Sequence, residues 1–150
     1  MSTIEVGDLL YEYTLKVTGL TEYGVTMASL MTGAAPPPGG ARFDVAFAGD
    51  ATAGKLTGAV TGVDYVRVRA DGRFDLHIHA ELTTADGCKI ALHAGGVALP
   101  RPGSPVFDLR EHATLYTASA GYAWVNPLQV WAIGTVDMAQ QVIHVRGYVA

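Results

Sequence analysis

Apolar and polar residues alternate with a period of two from one end of the chain to the other. Leu9, Tyr11, Tyr13, Leu15 and Val17 alternate with Leu10, Glu12, Thr14 and Lys16, and Phe43, Val45 and Phe47 alternate with Arg42, Asp44 and Ala46. Successive side chains leave a strand on opposite sides, so each run predicts a strand with one apolar face. Further runs near 22–32, 55–61, 64–69, 73–83, 88–95, 107–117, 128–137 and 141–149 bring the expectation to eight to ten strands. No segment of ten or more residues carries a capped helical repeat. Short strands at regular spacing predict an all-β chain, a sandwich or a closed antiparallel barrel, with no boundary inside 1–150.

Two turns set the register. "RADGR" (69–73) and "TADGC" (84–88) each place Asp-Gly at the end of a three-residue loop, where Gly72 and Gly87 can take the left-handed conformation without steric cost. Counting outward pairs Arg67 with Asp75, Tyr65 with His77, His79 with His93 and Glu81 with Ala91, all on one face. The opposite face then collects Val66, Val68, Phe74, Leu76, Ile78, Ala80, Leu82, Ile90 and Leu92. A slip of one residue would mix the two sets. Three longer connections interrupt the strands, at 32–41, 95–106 and 118–127, and loops of that length are frequent binding loops or lids. The third carries Tyr122, Trp124 and Asn126, which could close a pocket mouth or plug one end of the core.

Composition narrows the class. A chain of 150 residues is long enough to bury a core as one domain, and 18 glycines and 7 prolines suit many turns. A net charge of −4, with its Lys and Arg scattered, excludes a basic nucleic-acid face. Cys88 is the sole cysteine, so no intrachain disulfide forms and nothing calls for an oxidising compartment. The N-terminus lacks the pattern of a signal peptide, and no apolar run is long enough for a membrane span. A cytoplasmic protein without membrane or nucleic-acid partners is the expectation.

Candidate chemistry concentrates in "DLHIHAEL" (75–82), where His77, His79 and Glu81 project in parallel and His93 faces His79 from the next strand. Three readings compete: a metal comb, the wet side of a strand, and metal-free acid–base or ligand contacts. The His-x-His-x-Glu spacing fits metal-binding jelly rolls poorly, so no metal and no cofactor is assigned. Tyr65 could orient His77 for proton transfer. His112 and Tyr116 share a face with Arg110, which could anchor a carboxylate or phenolate. Walker, dinucleotide-binding and nucleophile-elbow motifs are absent from the chain.

"GKLTGAVTGVDYVRVRADGRFDLHIHAELTTADGCKIALHAGG", "LREHATLYT" and "GYAWVN" together resemble the bacterial DUF3237 (UPF0311) family over about residues 9–149. The most specific pieces are the hairpin from Asp64 through Arg69, Asp71 and Gly72, then Asp75, the Asp86-Gly87 turn, Arg110, and Tyr122-Ala-Trp124-x-Asn126. The resemblance implies a small antiparallel barrel similar to the allene oxide cyclase and dirigent barrels (also calycin-like in form), usually oligomeric, and implies no single reaction. Two departures stand out: Leu115-Tyr116-Thr117 where many members read Phe-Glu-Thr, and Ala51-Thr52-Ala53 where many read Phe-Glu-Gly. Both remove a carboxylate, and His77 stands where relatives more often carry Arg.

The expected protein is therefore a homo-oligomeric, small-molecule-binding barrel. It is read as a cofactor-independent isomerase, cyclase or lyase acting on an apolar or aromatic metabolite by His/Tyr acid–base chemistry. The expected catalytic residues are His77, His79, Tyr65, Tyr116 and His112; the expected ligand contacts are Arg110, His93, Tyr11, Tyr13, Trp124 and Asn126. Tyr11, Tyr13, Tyr23, Met27, Phe43, Phe47 and Trp131 form the expected inward set. The alternative is a non-catalytic, lipocalin-like carrier, or a purely structural oligomer.

Overall fold

The computed structural model, which describes residues 3–150, closes the alternating strands into an antiparallel barrel. Eight strands follow one another around it in chain order: β1 (Leu9–Glu22), β2 (Ala41–Ala53), β3 (Gly58–Val68), β4 (Phe74–Thr83), β5 (Lys89–Pro100), β6 (Val106–Tyr116), β7 (Val130–Asp137) and β8 (Val142–Val149). Pairing of β1 with β8 closes the ring and leaves no edge strand.

Three expectations about elements are corrected. The runs at 55–61 and 64–69 are one strand, β3, and with the run at 22–32 not a strand of its own the count settles at eight. The run at 22–32 ends in a five-residue helix, α1 (Met27–Met31), because Thr26 caps its first turn and Glu22 Oε2 accepts the Met27 amide at 2.6 Å. Gly95–Pro100 belongs to β5, which shortens the 95–106 connection. The 118–127 connection folds as a 3-10 helix, Ala120–Val125.

The Asp-Gly turns form as read: Gly72 and Gly87 have φ of +93° and +85°, and the Arg69 amide donates to the Arg73 carbonyl at 2.8 Å. The register follows, with Arg67 opposite Asp75, His79 opposite His93 and Glu81 opposite Ala91. The apolar face of this register lies inside, where Val66, Val68, Leu76, Ile78, Leu82, Ile90 and Leu92 are buried. Each such side chain stabilises the fold by about 1.5–3 kcal/mol relative to exposure. Tyr11, Tyr13, Met27, Phe43 and Phe47 join them, but Tyr23 and Trp131 are exposed. Strand parity explains Trp131: its neighbours Val130 and Ala132 take the inward positions on β7.

The two ends of the barrel differ. The 3-10 helix covers one, burying Val125 completely. At the other, α1 and the β5–β6 loop stand around an opening, with Met27 and Phe107 at its rim. Gly147 makes room for the buried Tyr11 ring, with which a Cβ there would collide. Gly147→Ala is therefore expected to cost about 1–3 kcal/mol of stability by overpacking, measured by urea unfolding. A loss below that range would mean that the Tyr11 ring can move aside.

Candidate functional site

Inward parity places two acids among apolar neighbours. On β3, Asp64 takes an inward position in the row with Val60, Val66 and Val68; on β6, Glu111 does so between Phe107, Leu109, Ala113 and Leu115. Both line a narrow cavity of about 80 Å³ that opens between α1 and the β5–β6 loop. Its walls are apolar, with Phe47, Leu76, Ile78 and Leu109, and Tyr13 stands beside the carboxyls. Among the described residues no Lys, Arg or His lines it. A wider, more open cleft of about 480 Å³ adjoins the mouth and shares Phe74 and Phe107 with it.

Burial sets the chemistry of the pair. It pushes Glu111 up to about 8, helped by the charge of Asp64, and among the described residues Glu111 Oε1 has no hydrogen-bond partner. Burial also pushes Asp64 up, to about 7, but here the His77 amide donates to Oδ1 at 3.0 Å and stabilises the ionised form. This donor holds Asp64 below where burial alone would put it, and the pair keeps the ordinary order of the two acids, Asp64 the stronger and Glu111 the weaker. Tyr13 is raised well above its ordinary value by burial and then by Glu111, so its hydroxyl stays neutral; Tyr11 is raised for the same two causes. The two tyrosine rings stack at 5.3 Å, and the buried Tyr11 hydroxyl has no partner.

The residues expected to carry the chemistry lie mostly elsewhere. His77, His79, His93, His112, Tyr65, Tyr116 and Arg110 are exposed on the outer face. The structure brings several of them together there: His79 and His93 ring centroids lie 4.5 Å apart, and Tyr65 meets His79 edge-on at 5.7 Å. None faces the cavity, because the parity that buries Leu76 and Ile78 turns their neighbours outward. Arg110 donates to the Leu109 carbonyl at 3.0 Å, outside the barrel. Asp75 sits opposite Arg67 but bonds Arg73 instead, at 2.6 Å. Among the described residues no group of three or more His, Cys, Asp or Glu is placed to hold a metal.

Trp124 is exposed at the covered end, and Asn126 holds that end together, accepting from the Thr117 amide at 2.8 Å and donating to its carbonyl at 2.9 Å. Tyr122 is half-buried and donates to Asp86 at 2.9 Å. Of the expected ligand contacts, Tyr13 lines the cavity, while Tyr11 is buried within the barrel. Tyr116, expected to be catalytic and standing where the resembled family more often carries Glu, points outward, while the interior holds two carboxyls that were not among the expected site residues. A signal for them existed: Asp64 and Glu111 are the acids that fall on the apolar side of an alternating run.

No family model and no curated protein matches the chain, so the DUF3237 resemblance gains no support there. Solved structures do match in fold. A β-barrel-like protein from Acinetobacter baumannii AYE is 18% identical over 99% of this chain and 97% of its own, with a TM-score of 0.74. A protein of unknown function from Clostridium acetobutylicum is 18% identical over 99% of this chain and 100% of its own, at 0.76. An enzyme from Penicillium herquei is 16% identical over 99% of this chain and 98% of its own, at 0.60. At such identities the likeness is one of fold.

Because Glu111 binds its proton more tightly folded than unfolded, its ionisation adds no cost in acid. The cost grows as pH rises above the ordinary value of 4.5 and is complete above about 8. Glu111→Gln should therefore gain roughly 4 kcal/mol on the parent protein between pH 5 and pH 9, read by urea unfolding. An equal pH dependence in the two proteins would place the carboxyl in water.

Proposed function

We propose that this protein is a cofactor-independent isomerase, cyclase or lyase acting on a neutral, largely apolar molecule that bears a carbonyl or hydroxyl group. One observation carries the reading: two inward carboxyls of unequal acidity share an apolar cavity with a neutral tyrosine. Paired groups whose environments push their pKa values apart are the usual arrangement for general acid and general base. Near neutral pH, Glu111 is the proton donor and Asp64, partly ionised, the acceptor. The acid–base pair is thus moved from the expected His/Tyr set to Asp64 and Glu111.

In such a step the Asp64 carboxylate takes a proton from the carbon beside a carbonyl, while Glu111 gives its proton to the carbonyl oxygen. Returning a proton to a different carbon, and the oxygen's proton to Glu111, completes an isomerisation. Alternatively the enol loses a hydroxyl from the next carbon as water, Asp64 giving its proton to the leaving oxygen and the enol's O–H proton returning to Glu111, which completes a lyase reaction. Neither route needs an oxidant or reductant. The Tyr13 hydroxyl is available to bond the same oxygen. Lack of a cation in the lining argues against an anionic substrate, whose charge would be stranded beside two acids. The fold-level match to a protein described as an enzyme is consistent with catalysis without naming a reaction. Exposed Tyr116, Trp131 and Ile133 on β6 and β7 support the expected homo-oligomer.

The test is incubation of the protein in D2O with a panel of neutral cyclic and aryl ketones and hydroxyketones, followed by mass spectrometry. Deuterium incorporation or a converted product is expected, slowed about 10²–10⁴-fold by Asp64→Asn or Glu111→Gln. The rate should form a narrow bell, rising as Asp64 ionises near 7 and falling as Glu111 ionises near 8. A ligand bound without exchange or conversion would support the lipocalin-like carrier, which the apolar lining also suits. Turnover indifferent to both substitutions would overturn the assignment.

A further inference from the structure

The ladder between β3 and β4 opens at one place. Counted in twos from the Arg69–Arg73 pair, Tyr65 and His77 should exchange main-chain hydrogen bonds, and the register on either side, Asp64 with Ile78 and Arg67 with Asp75, is continuous. Yet Tyr65 and His77 do not pair through the backbone. The His77 amide turns to the Asp64 carboxylate at 3.0 Å, and the Tyr65 carbonyl is met by His77 Nδ1 at 3.2 Å. A carbonyl only accepts, so Nδ1 carries the proton and Nε2 faces out.

We propose that His77 is a positioning residue: from the outside of the barrel, its imidazole occupies the Tyr65 carbonyl and so frees its own amide to hold Asp64 on the inside. The exchange is one for one. A backbone N–H leaves the ladder for a carboxylate, and a side-chain N–H replaces it, so no acceptor is left bare. The amide is the hydrogen bond that favours the ionised form of Asp64 against its burial. Without the imidazole, the Tyr65 carbonyl would recapture the His77 amide, and Asp64 would lose its donor. The inference rests on the reading of Asp64 as the base, and assigns that base a control outside the cavity.

The surroundings offer no substitute. Inside, Asp64 meets Glu111 from β6 and Tyr13 from β1, neither of which makes a hydrogen bond to it. Outside, the titratable groups around His77 are Tyr65 on β3, Asp75 and His79 on β4, and His112 of β6, whose ring lies over Gly95 opposite His77. Each has its own place, and the Tyr65 carbonyl is met by His77 alone among them.

Carbon-13 and nitrogen-15 NMR titration tests this without substrate or turnover, so its failure is separable from failure of the catalytic reading. In the parent protein, His77 should show the Nδ1–H tautomer, and its amide should shift with the titration of Asp64. His77→Ala should raise the Asp64 midpoint by about 1 pH unit. His77→Asn, whose amide N–H can reach the same carbonyl, should restore most of that shift, and the neighbouring His79→Ala should leave it unmoved. The Nε2–H tautomer in the parent protein would overturn the proposal whether or not any variant folds. So would equal Asp64 midpoints in parent and His77→Ala, or equal shifts in His77→Ala and His77→Asn.

Discussion

Closure of the barrel is the constraint on which the site depends. Once β1 pairs with β8, every strand has an inner and an outer face, and the inner face of an eight-stranded barrel has room for little more than its own side chains. Any acid on inward parity must then sit in a nearly dry space. Asp64 and Glu111 do so, and their raised pKa values express that confinement first, with the charge of Asp64 adding to it at Glu111. Closed strands also make the two ends of the barrel the places where the interior can meet its surroundings: the 3-10 helix lies over one, and Met27 of α1 lines the cavity toward the other.

Much of the architecture was legible because turn chemistry and alternation agree. Gly72 and Gly87 fix two hairpins, and the apolar set from Val66 to Leu92 tells which face is inside. Strand limits were less legible. Nothing in residues 22–32 distinguishes a strand from a short helix until Glu22 is seen to accept the Met27 amide, a contact made by the folded chain end of β1. Gly95–Pro100 read as a loop for its glycines and proline, but pairing with β6 carries the strand through.

The site was harder to read for a physical reason. Density of titratable groups drew attention to His77 and His79, which are polar residues where a strand is expected to be polar. Chemistry under a low dielectric comes instead from a polar residue where the strand should be apolar. Asp64 and Glu111 break the pattern and His77 keeps it. The contrast is sharp on β6: Glu111 and His112 are adjacent in sequence, but one is confined in the barrel and the other lies on its surface.

These faces are nevertheless not independent. A strand is one layer thick, and its amides lie in the sheet between the two sets of side chains. A donor released from the ladder can therefore be used on one side only if something on the other side satisfies the abandoned acceptor. At Tyr65 and His77 both halves of that exchange are present, the carboxylate within and the imidazole without. An outer residue can thus influence an inner one across a single peptide plane, with no chain of intervening contacts. The inner carboxylate keeps a donor that the cavity's apolar walls could not supply, and the sheet keeps its register on both sides of the opening.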